Sequence, residues 1–489
     1  MKLKLYNTLT RTKEEFIPLM EDSAYQGPKK DFVGIYSCGP TVYSMPHFGN
    51  VRASFTADLI RNTIQYILGY KTISVMNFTD VGHLAGDSDD GEEKMEKAAR
   101  QEGLTARDLA KKYEEVFIKF FKDLNIDPFT IMPRATEHIQ EQIDLVKSLE
   151  SKGYTYVIDG DGVYMDTSKI PDYGKLLGPN YKKALGGIKG GERVDLKGKK
   201  NLTDFALWKF HIGDGKRDME RESPRGVGFP GRHAECSAMS SKYLGDQFDI
   251  HHGGYDLIPV HHTNEIAQSE CSTGLHPRVK YRIHNQFVLM NGKKMAKSDG
   301  NTVSPFEVID KGYSYLDMRY FFFTTHYSSF FDFTRDSIQQ AQNTRKNLIK
   351  KLSQLEKNYL FEDIQSFNLI ENKLNTEIGK KFRTETMEAI CDDINTPQVI
   401  ATINSYLSNV NNEIISIIYR LENKFLKVGL FDSIVEEKIE IPSEIIDLAK
   451  QRLQAKKDKN FTLADEFRNK IQDVGYQIKD TPDGFEIFK

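Results

Sequence analysis

The sequence predicts an α/β protein: a Rossmann-like, doubly wound parallel sheet split by an insertion, followed by an α-helical bundle and a small C-terminal α+β part. Two series of strand, turn, helix and strand, within 33–77 and 247–290, predict the sheet, because such units join parallel strands. A turn-rich stretch separates the two series. Beyond Arg335 glycines become rare and long helical patterns prevail, so the helices are expected to follow the sheet.

The first series begins with a short apolar strand at 33–38, which the turn at 39–41 ends. A helix is expected to begin near Gly49 and to run to Tyr66. The next strand is expected at 72–77, parallel to the first.

The second series is expected to run from a strand at 247–250 to a strand at 287–290. The insertion between the two halves of the sheet is expected at 123–225. Its glycine-rich run at 186–191 predicts turns.

The C-terminal third is predicted to be mostly helical. Periodic apolar residues at 338–359 and 380–430 predict the bundle, and a helix is expected from 443 toward 474. A β-hairpin at 475–488 is expected to end the chain.

Composition excludes some classes of protein. With 67 basic and 70 acidic residues the formal net charge is −3, so an RNA site would have to be a local basic surface. Hydrophobic residues are 39% of the chain, yet no apolar run reaches about 18 residues, so we expect no membrane span. Four dispersed cysteines predict no disulfide framework, and a reducing cytoplasm is the expected location.

The segment His47-Phe48-Gly49-Asn50 falls where a strand gives way to a helix. A helix N-terminus offers backbone N–H groups and the positive end of the helix dipole, which suit phosphate oxygens. His47 and Asn50 can add side-chain donors, and Gly49 allows close approach because it has no Cβ. The alternative is a histidine that only caps the helix.

A basic segment, 293–298, follows a predicted strand and contains Lys294 and Lys297. Mobile lysines there can neutralise charge that develops when a phosphate is attacked. The alternative is a solvated basic loop.

A third stretch, with Gly253, Gly254 and Asp256, follows the strand at 247–250. By analogy with the acidic residue of Rossmann folds, Asp256 is a candidate contact for a ribose.

Cys38, Cys236, His261 and Glu265 form a plausible set of ligands for a soft metal ion. His261 and Glu265 are spaced i, i+4, so on a helix they share a face. Two thiolates, one imidazole and one carboxylate can bind zinc tetrahedrally, and their dispersal implies a site made by the tertiary fold. The alternative is that each residue is structural, since buried cysteines usually behave as small apolar side chains.

Over nearly its whole length the chain resembles the cysteinyl members of the class I aminoacyl-tRNA synthetases. The segments 47–50 and 294–298 resemble the HIGH and KMSKS motifs of that class. Further matching stretches are 36–43, 204–209, 233–239, 261–268 and 392–397.

The resemblance implies activation of L-cysteine with ATP and Mg²⁺ to cysteinyl-adenylate, and transfer to the 3′ end of tRNA(Cys), by a monomer. It implies one zinc ion per chain, which selects the substrate thiolate, on Cys38, Cys236, His261 and Glu265. It implies that residues in the matching stretches bind ATP (His47, Gly49, Asn50, Gly253, Gly254, Asp256 and Lys297), serve catalysis (Lys297, Lys294, His47 and Asn50) or bind the amino acid (Gly39, Thr41 and His233).

The resemblance also implies an order of domains. They are the first half of the catalytic domain (1–122), a connective insertion (123–225), the second half of the catalytic domain (226–292), the KMSKS loop and stem-contact region (293–335), the helical bundle (336–436) and the anticodon-recognition part (437–489).

The sequence departs from the family pattern at a few positions. Arg232 stands where the family usually has a tryptophan beside the substrate, and His252 replaces a glycine. Ala296 replaces the inner serine of KMSKS, and the acidic loop 81–90 is longer than the common pattern. Arg232 and His252 bear on the shapes of the amino-acid and adenosine pockets.

Two other functions remain compatible with the sequence. A related ligase would join activated cysteine to a small amine, and a silent relative would bind RNA without catalysis. Basic and aromatic side chains of the C-terminal part predict an RNA-facing helix, with a solvated amphipathic helix as the alternative. They are Arg452, Lys456, Lys457, Lys459, Phe461, Phe467, Arg468 and Lys470.

Overall fold

The structure is a computed structural model, and it describes most of the 489 residues. The described residues are 1–25, 27–80, 94–179, 181, 198–211, 220–295, 303–353, 374–432, 443–458, 460–481 and 484–488. They form two compact units, Met1–Leu430 and Phe431–Lys489.

Strands and helices are interspersed up to residue 290, and helices prevail after it. The strands are β1 (Lys4–Asn7), β2 (Thr12–Glu15), β3 (Val33–Ser37), β4 (Thr72–Met76), β5 (Thr155–Ile158), β6 (Gly162–Met165), β7 (Phe205–Phe210), β8 (Gly228–Pro230), β9 (Phe248–Gly254), β10 (Val279–Asn285), β11 (Val288–Met290), β12 (Lys293–Lys294), β13 (Phe331–Phe333), β14 (Gln477–Thr481) and β15 (Gly484–Phe488). The helices are α1 (Phe48–Asn62), α2 (Lys94–Glu102), α3 (Ala106–Asp123), α4 (Ile139–Ser151), α5 (Arg232–Leu244), α6 (Thr263–Thr273), α7 (Pro305–Asp310), α8 (Tyr315–Phe323), α9 (Arg335–Ser353), α10 (Glu377–Cys391), α11 (Thr396–Tyr406), α12 (Asn412–Leu421), α13 (Ser443–Lys457) and α14 (Phe461–Asp473).

A four-stranded parallel sheet with the order β10-β9-β3-β4 forms the centre of the first unit. Its middle strands are buried, with Val33, Ile35 and Ile250 almost inaccessible to solvent. Buried apolar strands are typical of parallel sheets that helices cover on both faces. The predicted Rossmann-like parallel sheet is confirmed.

The second predicted series was wrong about its last strand. The predicted strand at 287–290 exists as β11, but it belongs to a separate three-stranded sheet with the order β12-β11-β13. The outer strand of the parallel sheet is β10, which the sequence did not suggest because Arg282 and His284 interrupt its apolar pattern. Both side chains are nevertheless buried, where they contact other polar groups beside the sheet.

The insertion has its own small core. The antiparallel sheet β5-β6-β7-β8 packs against α4 through Val146, Leu149, Leu207 and Trp208. The predicted glycine-rich turns at 186–191 lie outside the described residues. The predicted domain boundaries, including those of the insertion, stay predictions.

A buried ionic network joins α1 to α8 and to the end of the first unit. The carboxylate of Asp58 is inaccessible to solvent and pairs with Arg61, with Arg319 at 2.8 Å and with Lys427 at 3.1 Å. Burial opposes ionisation, but Lys427, Arg319 and Arg61 outweigh it and lower the pKa of Asp58 to about 2. The charges are therefore mutually compensated within the interior.

The second unit contains two helices and the predicted hairpin. The single helix predicted from 443 toward 474 was wrong, because α13 ends at Lys457 and α14 begins at Phe461. Asn460 starts the new helix, since its side-chain oxygen accepts from the backbone N–H of Leu463 at 3.2 Å. Strands β14 and β15 pair antiparallel as predicted, whereas the turn residues 482–483 lie outside the described part.

Among the described helices, none is both long enough and apolar enough to cross a membrane. All four cysteines are free thiols, as the sequence predicted.

Candidate active site

A cavity of about 420 Å³ opens beyond the carboxyl ends of β3, β9 and β10. The carboxyl edge of a parallel sheet is where ligands of such folds bind. Residues from all the predicted site classes line it, namely Cys38, Gly39, Thr41, His47, Gly49, Asn50, Cys236, Gly254, Asp256 and His261.

Close contact between two backbone segments fixes the loop after β3. A Cβ atom on Gly39 would lie 1.5 Å from the carbonyl oxygen of Asn77, so only glycine fits this position. The side-chain oxygen of Asn77 accepts from the N–H of Gly39 at 3.0 Å, and Thr41 pairs with Thr79. This packing places Cys38 and Thr41 at the cavity wall.

His47 caps the N-terminus of α1. Its Nδ1 accepts from the backbone N–H groups of Gly49 at 3.1 Å and Asn50 at 3.4 Å. The side-chain oxygen of Asn50 accepts from the N–H of His47 at 3.2 Å, which completes a reciprocal cap. These two N–H groups of the helix terminus are therefore occupied by His47, so the positive end of the helix dipole, rather than these two donors, is what α1 offers to a phosphate.

The four predicted metal ligands converge beside the cavity. One donor atom from each of Cys38, Cys236, His261 and Glu265 lies within 4.8 Å of the others. The two sulfur atoms are 3.9 Å apart, and Nε2 of His261 is 2.9 Å from Oε1 of Glu265. Two thiols, an imidazole and a carboxylate at this spacing fit a tetrahedral zinc ion.

Burial and mutual contacts perturb the ligands. The hydrogen bond with Cys38 outweighs burial and, with His261, lowers the pKa of the Cys236 thiol to about 7. Burial, ahead of Cys236, raises the pKa of Cys38 well above its usual range. Burial opposes the charged form of His261, but Glu265 and Cys236 outweigh it and raise its pKa to about 10. A metal ion that binds here must displace protons, so its affinity rises with pH.

A second group of histidines, absent from the predicted site, lies on the other side of Glu265. His251 Nε2 is 2.7 Å from Oε2 of Glu265, and His262 Nε2 is 3.2 Å from the sulfur of Cys38. His251, His262, Cys38 and Glu265 thus form a second possible ligand set. Only the adjacency of His262 to His261 hinted at this group, and His251 on β9 gave no comparable signal.

His233, predicted to bind the amino acid, lies behind the metal ligands instead of on the cavity wall. It is buried, and its Nδ1 is 2.9 Å from Nδ1 of His261. It can therefore orient His261. Arg232, the adjacent departure from the family pattern, does line the cavity.

The two predicted glycines at the end of β9 have different environments. A Cβ atom on Gly253 would lie 2.7 Å from the His262 ring, so this glycine allows the strand to pack against the histidines. Gly254 and Asp256 line the cavity beside Asn285. This places Asp256, but not Gly253, where it could contact a ligand.

The basic segment 293–298, called the lysine segment below, begins at the cavity edge. Lys294 lies on β12, although the position of its side chain is not described, and the next residue, Met295, lines the cavity. Lys297, the principal predicted catalytic residue, lies outside the described residues.

Comparisons with known proteins identify the family of this chain. The family model described as the catalytic domain of tRNA synthetases class I (C) matches residues 25–343. A cysteine–tRNA ligase of Treponema denticola is 38% identical over 98% of each chain, and one of Thermococcus onnurineus is 39% identical over 99% of this chain and 98% of its own.

A solved structure of much lower sequence identity shares the fold of this chain. A methionyl-tRNA synthetase of Mycobacterium tuberculosis, solved in complex with methionyl-adenylate, has a TM-score of 0.56 at 14% identity. It covers 85% of this chain, and 95% of its own length is matched. On the identities and coverage of its relatives, the chain belongs to the cysteine–tRNA ligase family of the class I aminoacyl-tRNA synthetases.

Proposed function

We propose that the chain activates L-cysteine with ATP and then transfers the cysteinyl group to the 3′ end of tRNA(Cys). In the first step a carboxylate oxygen of cysteine attacks the α-phosphorus, and the bond to pyrophosphate breaks. In the second step a hydroxyl of the terminal ribose attacks the adenylate carbonyl, and AMP leaves. We propose Mg²⁺ as the companion of ATP.

One observation carries this proposal. Cys38, Cys236 and His261 line the same cavity as the N-terminus of α1 and Asp256. A ligand that reaches the thiols and the helix terminus together must combine a soft donor with a phosphate. Cysteine and ATP, once joined as cysteinyl-adenylate, have this combination.

The donor set favours zinc as the resident metal. Zinc, when bound by Cys38, Cys236, His261 and Glu265, supplies a soft Lewis acid that prefers a thiolate to a hydroxyl. A serine lacks the thiol, so we expect a preference for cysteine over serine of about 10⁴-fold without an editing site.

The residues at the phosphate end act by position and charge. His47 and Asn50 hold the first turn of α1 in place, so its positive dipole end faces the cavity. Lys294 and Lys297 are proposed to neutralise charge that develops on the α-phosphate. The substrate carboxylate is already a nucleophile, so the first step needs no general base.

The alternatives have less support. The relatives are matched over 98% of their own lengths, so both units of this chain have counterparts in cysteine–tRNA ligases. A ligase that uses a small amine would have no use for the second unit. We further propose a monomer in a reducing cytoplasm, where Cys38 and Cys236 stay available to the metal.

Pyrophosphate exchange tests the proposed function. Exchange of labelled pyrophosphate into ATP should require cysteine, and serine at the same concentration should support about 10⁴-fold less exchange. A folded, zinc-loaded protein that shows no cysteine-dependent exchange would leave only the non-catalytic alternative. Equal exchange with serine and cysteine would refute the role of the metal in selection.

A further inference from the structure

Arg52 is a buried cation in the second turn of α1, the helix whose N-terminus carries His47 and Asn50. Only 2% of its surface is exposed. Among the described residues, no carboxylate forms an ion pair with it. Burial accordingly lowers the pKa of Arg52 to about 9.

Backbone carbonyl groups, rather than an anion, satisfy the guanidinium. Nη1 donates to Gln286 O at 3.0 Å and to Phe287 O at 2.9 Å. Nη2 donates to His326 O at 3.0 Å, Tyr327 O at 3.3 Å and Ser329 O at 2.7 Å. The two ends of one planar group therefore join two chain segments to α1.

One of these segments is a wall of the active site. Gln286, Phe287 and Val288 line the cavity, and Val288 begins β11. Strand β11 pairs with β12, from which the lysine segment continues. The position of Gln286 and Phe287 relative to α1 thus sets the distance between the two sides of the cavity that would meet the phosphates of ATP.

The other segment is held firmly from behind. Asp393 Oδ1 accepts from the hydroxyl of Tyr327 at 2.5 Å, and Asp393 O is 2.7 Å from His326 Nε2. The ring of Phe331 lies under the guanidinium, with its centroid 5.2 Å away. The same segment holds the Gln286–Phe287 wall, since Gln286 N donates to Tyr327 O at 2.9 Å and Phe331 N donates to Phe287 O at 3.1 Å. The loss of Arg52 would therefore release the wall and this segment together from α1.

We propose that Arg52 is a positioning residue for ATP, which holds the Gln286–Phe287 wall against α1 so that the nucleotide meets the helix terminus and the lysine segment together. This role rests on the proposed activation reaction. Carrying a charge into the interior is costly, and a neutral side chain could not span five carbonyls in two directions. The role of Arg52 therefore depends on the several N–H donors of its planar guanidinium, and not on an interaction of its charge with the substrate.

Arg52→Lys tests the proposal, because one ammonium group cannot serve both segments. Its matched control is Arg319→Lys. Arg319 is also buried and also donates to carbonyls, Leu426 O at 2.6 Å and Leu124 O at 3.0 Å, but neither of these residues lines the cavity, whereas Gln286 and Phe287 do. Cysteine-dependent pyrophosphate exchange, the KM values for ATP and cysteine, zinc content and the Tm would be measured for both variants and the wild type.

We expect Arg52→Lys to lower kcat by about 10²-fold and to raise the KM for ATP about tenfold, since small displacements of reacting groups are costly. The KM for cysteine and the zinc content should stay within about twofold, because the metal ligands do not contact Arg52. Arg319→Lys should lower the Tm but leave the KM for ATP within about twofold.

Two results would overturn the proposal: wild-type kinetics in a folded Arg52→Lys variant, or equal rises in the KM for ATP in both variants. If Arg52→Lys does not fold, Phe331→Leu removes the ring beneath the guanidinium, together with its contacts to Phe321 and Phe322, and should raise the KM for ATP selectively by a smaller factor. An unchanged KM for ATP in Phe331→Leu would then count against the proposal. Absence of exchange in the wild type would instead refute the proposed function.

Discussion

Glu265 stands between two possible metal sites. Its Oε1 faces His261 at 2.9 Å and its Oε2 faces His251 at 2.7 Å, so the carboxylate belongs to both ligand sets. Cys236 and His261 line the cavity, whereas His251 and His262 do not. A metal ion that must contact the thiol of a substrate therefore needs the set with Cys236 and His261.

We predict that Cys236→Ala abolishes zinc binding and that His251→Asn preserves it. Purified wild-type protein should contain about one zinc ion per chain, because a tetrahedral site needs all four ligands. Elemental analysis after exhaustive dialysis measures the difference. Zinc retained by Cys236→Ala but lost from His251→Asn would place the ion in the second set.

Lys297→Ala should lower cysteine-dependent pyrophosphate exchange by about 10²–10³-fold, because one cation that stabilises transition-state charge is removed. The KM for cysteine should change little, since the metal set is separate. Lys293 is exposed on β12, four positions before Lys297 in the sequence, so Lys293→Ala is the matched control and should stay within about threefold. Similar losses in both variants would show that general basicity, rather than Lys297, matters.

The sequence predicted which residues belong to the candidate site better than it predicted which neighbours each of them contacts. The i, i+4 spacing of His261 and Glu265, two cysteines near the predicted sheet ends and the family resemblance together predicted ligands that do lie together. These features could not show that His233 faces His261 instead of the cavity, because that depends on how α5 packs against the neighbouring helix. The sequence could not distinguish a His47 that caps the helix from one that binds a phosphate, since a histidine before a helix can do either.

Helix α1 depends on the buried Asp58 network. Asp58→Asn should destabilise the first unit by about 3–5 kcal/mol at pH 7, because Arg61, Arg319 and Lys427 would lose a shared counterion. The chain has one tryptophan, Trp208, which is buried in the first unit. Its fluorescence during urea unfolding therefore reports the free energy of unfolding of this unit. A loss below about 1 kcal/mol would contradict the network.

The same network predicts how stability depends on acid. The pKa of Asp58 falls from 3.8 to about 2 on folding, so its contribution is complete above pH 4 and is lost as pH falls toward 2. The difference in the free energy of unfolding between wild type and Asp58→Asn should therefore shrink in that window.

Asp127 also contacts Lys427, at 2.9 Å, but its side chain is 42% exposed, so Asp127→Asn should lower the free energy of unfolding by at most about 1 kcal/mol.

Elements that follow simple patterns were predictable, and those built on buried polar groups were not. Strands β3 and β4 are mostly apolar, carry no charged side chain and appear where expected. Strand β10 carries Arg282, whose burial depends on Glu265 and on the sheet around it. The break before α14 depends on Asn460, a single cap that a periodicity of apolar residues does not reveal.

The division of the chain into two units makes the role of the C-terminal part testable. In the second unit Phe461 is 61% exposed at the start of α14, a position suited to stacking on an unpaired base, whereas Arg452 is buried and is a poor candidate for RNA contact. Lys456 and Lys457 lie in the last turn of α13, five and four positions before Phe461. Basic and aromatic groups thus stand together at one end of the helix pair.

We predict that a chain ending at residue 441 keeps cysteine-dependent pyrophosphate exchange but loses most tRNA charging at low tRNA concentration. The cavity residues and the metal set all belong to the first unit, so activation does not need the second. The loss should appear as a higher Kd for tRNA(Cys), with a shallower dependence on salt because fewer phosphates are neutralised. Phe461→Ala in the full chain should weaken tRNA binding in the same direction, by about 1–3 kcal/mol if the ring stacks on a base. Equal charging by the truncated and complete chains would refute the role in tRNA recognition. Loss of exchange from a truncated chain that keeps the Trp208 unfolding transition would show instead that the second unit supports the active site.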